Sequence, residues 1–341
     1  MIATSPLTPD TRALWDAFVA ARPTGTFFHL AAWADVMREA YRHKTHFVAA
    51  IRNGEVAGVV PLVEIKSRLF GHALISNAFC VGGGPLAVDE EARQVLLDEA
   101  AKIGRACGVD HVELRDAAPA EGWVARSDLY AGFEREMDAD EAKNLLQVPR
   151  KQRAVVRKAI DGQFRVTVDR DLDTFFALFA RTVRDHGTPV FPKRFFREIL
   201  RAFPDDADIL TVWLDDRPLS SVLSYYFRDR VYPYYTGSDP AARIAGTNDY
   251  MYWKLMRHAV ARGCRVFDFG RSKVGTGPYS FKKNWGFEPR PIAHQYLLLK
   301  GETLPNVNPT NPRYAQLIGI WRRLPIPVAN AVSSFISPSL G

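Results

Sequence analysis

The chain spells the same short pattern twice. Ala101 to Asp116 reads as a helix end, a glycine stop at Gly108 and then an alternating strand, and Met256 to Arg271 reads the same way around Gly263. Gly263 follows Gly108 by 155 residues, and at that offset Glu113 falls on Asp268. An upstream pair agrees. Phe47–Ile51, a turn at Asn53-Gly54 and Val56–Ile65 form a strand, hairpin turn and strand. Ile209–Leu214, Asp215-Asp216 and Leu219–Phe227 repeat this, with 162 residues from Gly54 to Asp216. Two landmarks at similar spacing restrict the fold to tandem copies of one α/β unit of about 150 residues.

Each copy continues alike. In the first, a strand at Ala73–Phe79 leads through Val81-Gly82-Gly83-Gly84-Pro85 into a helix at Glu90–Cys107. In the second, Val231–Thr236, the loop Gly237–Gly246 and a helix at Thr247–Arg262 follow the same order. Leu145–Ile160 reads as a connecting helix, and Glu302–Pro312 as a Pro/Asn-rich linker. With 341 residues, two domains fit: 1–144, 145–300, and a linker and tail over 301–341. The expected class is α/β (α+β), with mixed central sheets flanked by helices.

A hydrophobic content of 47% and a charged content of 24% are those of a soluble globular chain. The net charge of +7 suits an anionic partner: phosphate, nucleic acid, acidic polysaccharide or a membrane surface. Cys80, Cys107 and Cys264 are odd in number and scattered, which argues against a disulfide framework; each reads as a small buried hydrophobe. Met1–Asp10 lacks the pattern of a signal peptide, and no apolar run approaches the ~18 residues of a membrane span. A cytoplasmic protein is expected. The tail, Leu317–Pro325 and Val328–Leu340, mixes Trp, Arg and apolar residues; it either packs back or touches the inner face of the membrane.

Several chemistries lack a motif. There is no phosphate loop of the Gly-x-x-x-x-Gly-Lys-Ser/Thr type, no nucleophile elbow, no His-Glu-x-x-His and no dinucleotide fingerprint. Gly275-Thr-Gly277-Pro lacks a third glycine and is read as preceding no helix. No metal site is expected. Direct transfer between bound donor and acceptor needs only positioning and charge stabilisation.

The residues for that chemistry cluster late. A strand ends in Asp268-Phe269-Gly270-Arg271-Ser272, and Tyr279-Ser280-Phe281-Lys282-Lys283-Asn284-Trp285-Gly286-Phe287 follows. Two cations and a hydroxyl at a strand's mouth suit developing negative charge. Lys282 is the candidate to stabilise an oxyanion, a contribution of about 3 kcal/mol. Asp268 could orient it or accept a proton, and His186, in Asp185-His186-Gly187-Thr188-Pro189, is a candidate base or a plain helix-end histidine. Arg271 and Ser272 could hold a phosphate or carboxylate. Phe281 and Tyr279 flank the lysine, and one face of the strand carrying Tyr232, Tyr234 and Tyr235 would line a cleft. Five cations between Arg150 and Lys158 offer a face for a phosphodiester such as tRNA, or a solvated helix face.

Phe281-Lys282-x-x-Trp285-Gly286 resembles the Phe-Lys-x-x-aromatic-Gly ending of FemAB-like acyltransferases, and Thr26-Phe27-Phe28-His29-Leu30 with Trp33 resembles their opening, an aromatic-rich strand leading to a helix. Strand, turn-rich loop and helix in that order is the layout of the GNAT acyltransferase fold. Arg243-Ile-Ala-Gly246-Thr247-Asn248 resembles a degraded GNAT phosphate loop, which would hold a coenzyme A pyrophosphate; the alternative is a helix cap at Thr247 or Asn248. The stretches Arg181–Phe196 and Thr247–Trp253 look closest to the branch found with exosortase/PEP-CTERM exopolysaccharide systems. The resemblance implies two tandem GNAT domains and a transferase moving an acyl or aminoacyl group onto an amine of a cell-envelope or exopolysaccharide precursor. It implies aminoacyl-tRNA, acyl-CoA or an acyl carrier protein as donor. A coenzyme A-dependent N-acyltransferase and a non-catalytic module for anionic polymers are the other readings.

Overall fold

The computed structural model describes residues 1–67, 71–242, 246–304 and 318–340. The chain divides into two compact units. The first comprises Met1–Asp128, Ile292–Pro309 and Phe335–Gly341, and the second Leu129–Pro291 and Thr310–Ser334.

The first unit begins with β1 (Ile2–Pro6), α1 (Arg12–Ala21), α2 (Trp33–Tyr41), β2 (Lys44–Arg52) and β3 (Glu55–Ser67). Asn53 and Gly54, both at positive φ, make the tight hairpin between β2 and β3. Then come β4 (Gly71–Ser76), β5 (Leu86–Ala87), α3 (Glu90–Cys107) and β6 (His111–Arg115). Asp89 caps α3 by accepting from the Ala92 N–H, and Gly108, at φ +68, ends it. The face of α3 carrying Leu96, Leu97 and Ala100 packs with Val48, Val60, Leu62, Leu74 and Val112.

Next is β7 (Val124–Glu136), which reaches the second unit at Leu129. The second unit continues with α4 (Glu141–Gln147), α5 (Arg150–Ile160), β8 (Phe164–Asp169), α6 (Leu172–Asp185) and α7 (Lys193–Ala202). β9 (Ala207–Leu214), β10 (Arg217–Phe227), β11 (Arg230–Ser238), α8 (Thr247–Ala261), β12 (Val266–Lys273) and α9 (Gly277–Asn284) follow. The chain then re-enters the first unit with β13 (Pro289–Leu298), and Ile326–Ile336 forms α10.

Within the first unit the strand order is β1-β2-β3-β4-β6-β13, parallel only at β4–β6. Within the second it is β8-β9-β10-β11-β12-β7, parallel only at β11–β12. The two orders are the same, element for element. The last place is filled by β13, from late in the chain, in the first unit, and by β7, from just before the rest of its sheet, in the second.

Several local expectations differ. Phe27–His29 is a 3₁₀ turn rather than a strand, because indole N–H groups of Trp33 and Trp15 take the carbonyls of Phe27 and His29. Leu145–Ile160 is two helices, α4 and α5, because Pro149 cannot continue the first. Gly275-Thr-Gly277-Pro does precede a helix: Thr276 is the N-cap of α9, and proline is favoured in a first turn. Cys107 is half-buried, whereas Cys80 and Cys264 are buried, and none of the three is in a disulfide. In the tail, Trp321 donates to the Thr188 carbonyl, Arg184 to that of Leu324, and the Val190 N–H to Ser333 Oγ, so this part packs on the second unit. The Glu302–Pro312 linker lies outside the described residues from position 305 on. No helix among the described residues is long and apolar enough to cross a membrane.

Candidate functional site

The second unit contains a cleft of about 700 Å³. Its location follows from strand geometry. β11 and β12 are parallel but pair only at Arg230–Val266 and Val231–Phe267. Beyond that point a bulge in β12 opens the register with β7 between Asp268 and Arg271. Gly270 takes φ +65 within the bulge, and its N–H is held by Asp268 Oδ1 at 2.8 Å. The end of β11 and the loop after it line the cleft with Ser238, Asp239, Pro240 and Ala242.

Helices supply the rest of the lining. α6 is capped by Asp171, which accepts from Asp173 and Thr174, and buries Phe175, Leu178 and Phe179. Its last turn brings Thr182, Asp185 and His186 to the cleft before Gly187, at φ +81, stops the helix. Thr182 is tied to β11, accepting from the Ser238 N–H and donating to its carbonyl. α5 contributes Gln152, α9 contributes Phe281, and α8 contributes Asn248 and Asp249 from its first turn.

Two carboxylates here differ in their electrostatics. Asp249 is 9% exposed, and burial pushes its pKa up against the pull of Trp285 and Gln152. Trp285 Nε1 donates to Oδ1 at 2.8 Å, and Gln152 Nε2 donates to the same oxygen. Asp239 is also buried, but there the upward push of burial is outweighed. The Ala241 N–H, Arg217 and Arg181 hold its pKa below the usual carboxylate range. The first is a candidate proton acceptor, the second a fixed anion that anchors the loop.

Residues 143–283 match the acetyltransferase (GNAT) domain family. The crystal structure of FemX superposes with a TM-score of 0.67 at 18% identity, covering 93% of this chain and all of that one. A tandem GNAT protein from the clavulanic acid biosynthesis pathway gives 0.56 at 13%, covering 89% of this chain and 100% of the other. The C-terminal domain of a putative lysylphosphatidylglycerol synthetase from Agrobacterium fabrum gives 0.56 at 13%, covering 84% and 92%. No curated protein matches the sequence. The chain has the tandem GNAT fold.

Of the site residues expected in this tandem GNAT chain, the cleft gathers His186, Asn248 and Phe281. Lys282 is placed differently. It is 9% exposed, and Nζ donates to the carbonyls of Phe269, Gly270 and Arg271 at 2.6, 3.3 and 3.0 Å. An ammonium has three hydrogens, so none is left over for an oxyanion in this arrangement. Burial draws its pKa down to about 7, with Asp268 working the other way. The three carbonyl acceptors also favour the charged form. Asp268 itself is pushed up to about 6, chiefly by desolvation.

The remaining described candidates are not among the residues that line this cleft. Arg271 stacks on Tyr130 at 4.4 Å, and Ser272 is buried in β12 opposite Ala131. Tyr279 packs edge-on to Phe133. Tyr235 lies among Phe179, Phe191, Phe195 and Phe196, and Tyr234 against Tyr225. Gly246, at φ +70, is the N-cap of α8, and no side chain caps that helix. Thr247 and Asn248 bond to Ser220 instead of acting as the cap. Arg243 lies outside the described residues. Asp249, Gln152 and Asp239 were not among the expected residues. Thr247-Asn-Asp249 at a helix start was the available signal, and it reads as ordinary capping.

Proposed function

We propose that this protein transfers an acyl or aminoacyl group onto an amine, in the cleft of its second unit. One observation carries the reading: where β11 and β12 part, one cleft is lined both by a buried carboxylate of raised pKa, Asp249, and by the exposed imidazole of His186. An amine forming an amide must shed protons as the new C–N bond forms and the acyl–oxygen or acyl–sulfur bond breaks. The leaving group takes up one proton. An acceptor that arrives as its ammonium sheds two protons in all, so one remains, and His186 or Asp249 is the group suited to accept it. Phe281 gives the donor's acyl part an apolar wall. Lys282 is then a positioning residue that fixes the β12 bulge, while Asp239 with Arg181 and Arg217 fixes the loop before α8.

A phosphate-bearing donor is favoured by two features. α8 begins at Gly246 without a side-chain cap, so its first-turn N–H groups face no competing acceptor from the cap residue. α5, which lends Gln152 to the cleft, exposes Arg150, Lys151, Arg157 and Lys158. Both an acyl-coenzyme A and an aminoacyl-tRNA carry such phosphates. The finer reading, an envelope or exopolysaccharide precursor as acceptor in an exosortase-linked system, rests on the sequence resemblance.

The test is a transfer assay with radiolabelled acetyl-coenzyme A and, separately, a labelled aminoacyl-tRNA pool, using extracted envelope precursors as acceptors. Label should enter an amine-bearing product with one donor. His186→Gln and Asp249→Asn should each lower the rate roughly 10²–10⁴-fold while the fold is kept. Transfer unaffected by both changes would remove the cleft from the chemistry.

A further inference from the structure

The first unit contains a mixed nitrogen, oxygen and sulfur cluster that the transfer reading does not use. Strand register assembles it. His46 on β2 lies opposite Leu62, Glu64 on β3 opposite Leu74, and Lys66 opposite His72 on β4. Side chains alternate along a strand, so His46, Glu64 and His72 share the face that bears Leu62 and Leu74. That is the face covered by α3, whose last residue is Cys107. The helix therefore delivers a thiol to the end of a sheet face that already carries two imidazoles and a carboxylate.

The distances suit a metal better than a chance polar rim. His46 Nε2 lies 3.4 Å from Glu64 Oε2 and 3.8 Å from Cys107 Sγ. The ligand atoms of these three residues all fall within 4.8 Å of one another. A tetrahedral zinc, with bonds of about 2.0–2.1 Å to N or O and about 2.3 Å to S, sets N···O near ~3.4 Å and N···S near ~3.6 Å. The second oxygen of Glu64 is held by His72 Nε2 at 2.8 Å, the kind of outer partner that orients a metal-bound carboxylate. All three ligands are half-buried. His46 also lines an opening of about 300 Å³ with Thr4, Pro6 and Glu99. A carboxylate shared by two histidines accounts for the nitrogen contacts, and Cys107 also packs against the core under α3; what singles the cluster out is that three ligand atoms of different kinds converge within 4.8 Å.

We propose that His46 Nε2, Glu64 Oε2 and Cys107 Sγ bind one divalent ion of the zinc type, with a fourth position left to water or an exogenous ligand. Thiolate and imidazole together select such a borderline-soft ion over magnesium or calcium. Cys107 binds as the thiolate and its proton goes to solvent. The ligands come from two strands and a helix, 18 and 43 residues apart, which is why no spacing motif announces them.

Cobalt(II) is the direct probe, titrated into the metal-stripped full-length protein. One equivalent should produce thiolate-to-cobalt charge transfer and the intense visible bands of a four-coordinate ion, and zinc should displace it. Cys107→Ser should abolish the charge-transfer band, whereas Cys264→Ser should leave it intact. His72→Gln, acting through Glu64, should weaken binding about 10- to 100-fold. Should the serine variant not fold, His46→Gln provides the second ligand deletion and should lose the tight site. A wild-type protein giving no band up to millimolar cobalt overturns the site. So does a band that survives both Cys107→Ser and His46→Gln.

Discussion

Lys282 Nζ lies 2.6 Å from the carbonyl oxygen of Phe269, and the same ammonium also holds the carbonyls of Gly270 and Arg271. The bulge in β12 takes Phe269 and Gly270 out of the ladder with β7, which resumes at Arg271 opposite Gly132, and a buried carbonyl without a partner is costly. Lys282→Met should therefore lower stability by about 3 kcal/mol, since several charge-assisted bonds are lost at once. Urea unfolding measures it. If the lysine instead meets the reacting carbonyl directly, the variant should keep its stability and lose turnover alone.

His29 makes the first unit sensitive to acid. Its Nδ1 accepts from the Thr26 N–H at 3.2 Å, so Nε2 carries the hydrogen and donates to the Gly84 carbonyl at 3.0 Å. Burial lowers its pKa from 6.5 to about 4, outweighing the Gly84 and Thr26 bonds. Between those pH values the unfolded chain binds more protons than the native one. This contribution is thus complete above pH 6.5 and is lost as the pH falls to about 4. It amounts to about 3 kcal/mol at ~1.36 kcal/mol per pKa unit. Urea midpoints across this range should fall for the wild type, and His29→Gln should flatten that slope.

The repeated pattern made the order of elements legible. Gly108 and Gly263, both at positive φ, end the corresponding helices, and the Asn53-Gly54 hairpin is where a two-residue turn demands it. What a linear pattern does not encode is which sheet a strand joins. β7 follows the first copy yet pairs with β12, and β13 follows the second yet pairs with β6. The site was legible in kind more than in place. Phe281 and His186 reach the cleft, whereas Lys282 turns inward to the carbonyls of Phe269 and Gly270, which a bulge invisible in the sequence takes out of the ladder, and to that of Arg271. Asp249 was missed because its burial and its bonds to Trp285 and Gln152 come from residues 36 and 97 positions away.

The pairing of β7 has a consequence for fragments. Ala131, Phe133 and Met137 on or just after this strand are buried in the second unit's core, where Phe133 is 1% exposed. A fragment over 145–300 lacks them and leaves the β12 side of its sheet unpaired. Losing the phenylalanine alone removes about 3–5 kcal/mol. Beginning the fragment at 124 restores the strand. Expressed side by side, the longer piece should unfold cooperatively by circular dichroism and the shorter should aggregate. Equal behaviour would mean that β7 is dispensable to that core.

Gly237, next to the cleft residue Ser238, lets β11 lie directly against the backbone of α6. A Cβ there would stand 2.2 Å from the Phe179 nitrogen and 2.4 Å from the Leu178 carbonyl carbon. These are backbone atoms inside α6, so no side chain can rotate away to make room. Gly237→Ala must push α6 from β11, which strains the Thr182–Ser238 bonds and opens the aromatic cluster around Tyr235. The expected cost is about 1–3 kcal/mol, the range for forced overpacking. Because α6 ends at His186, a proposed proton acceptor, the displacement should also lower kcat more than urea unfolding alone would suggest. Ala at Gly263, where a Cβ would meet nothing within 4 Å, controls for the loss of a glycine without the clash, although its φ of +87 adds local backbone strain. If both changes cost the same and only Gly263→Ala leaves kcat untouched, strain explains the stability and the helix position explains the turnover.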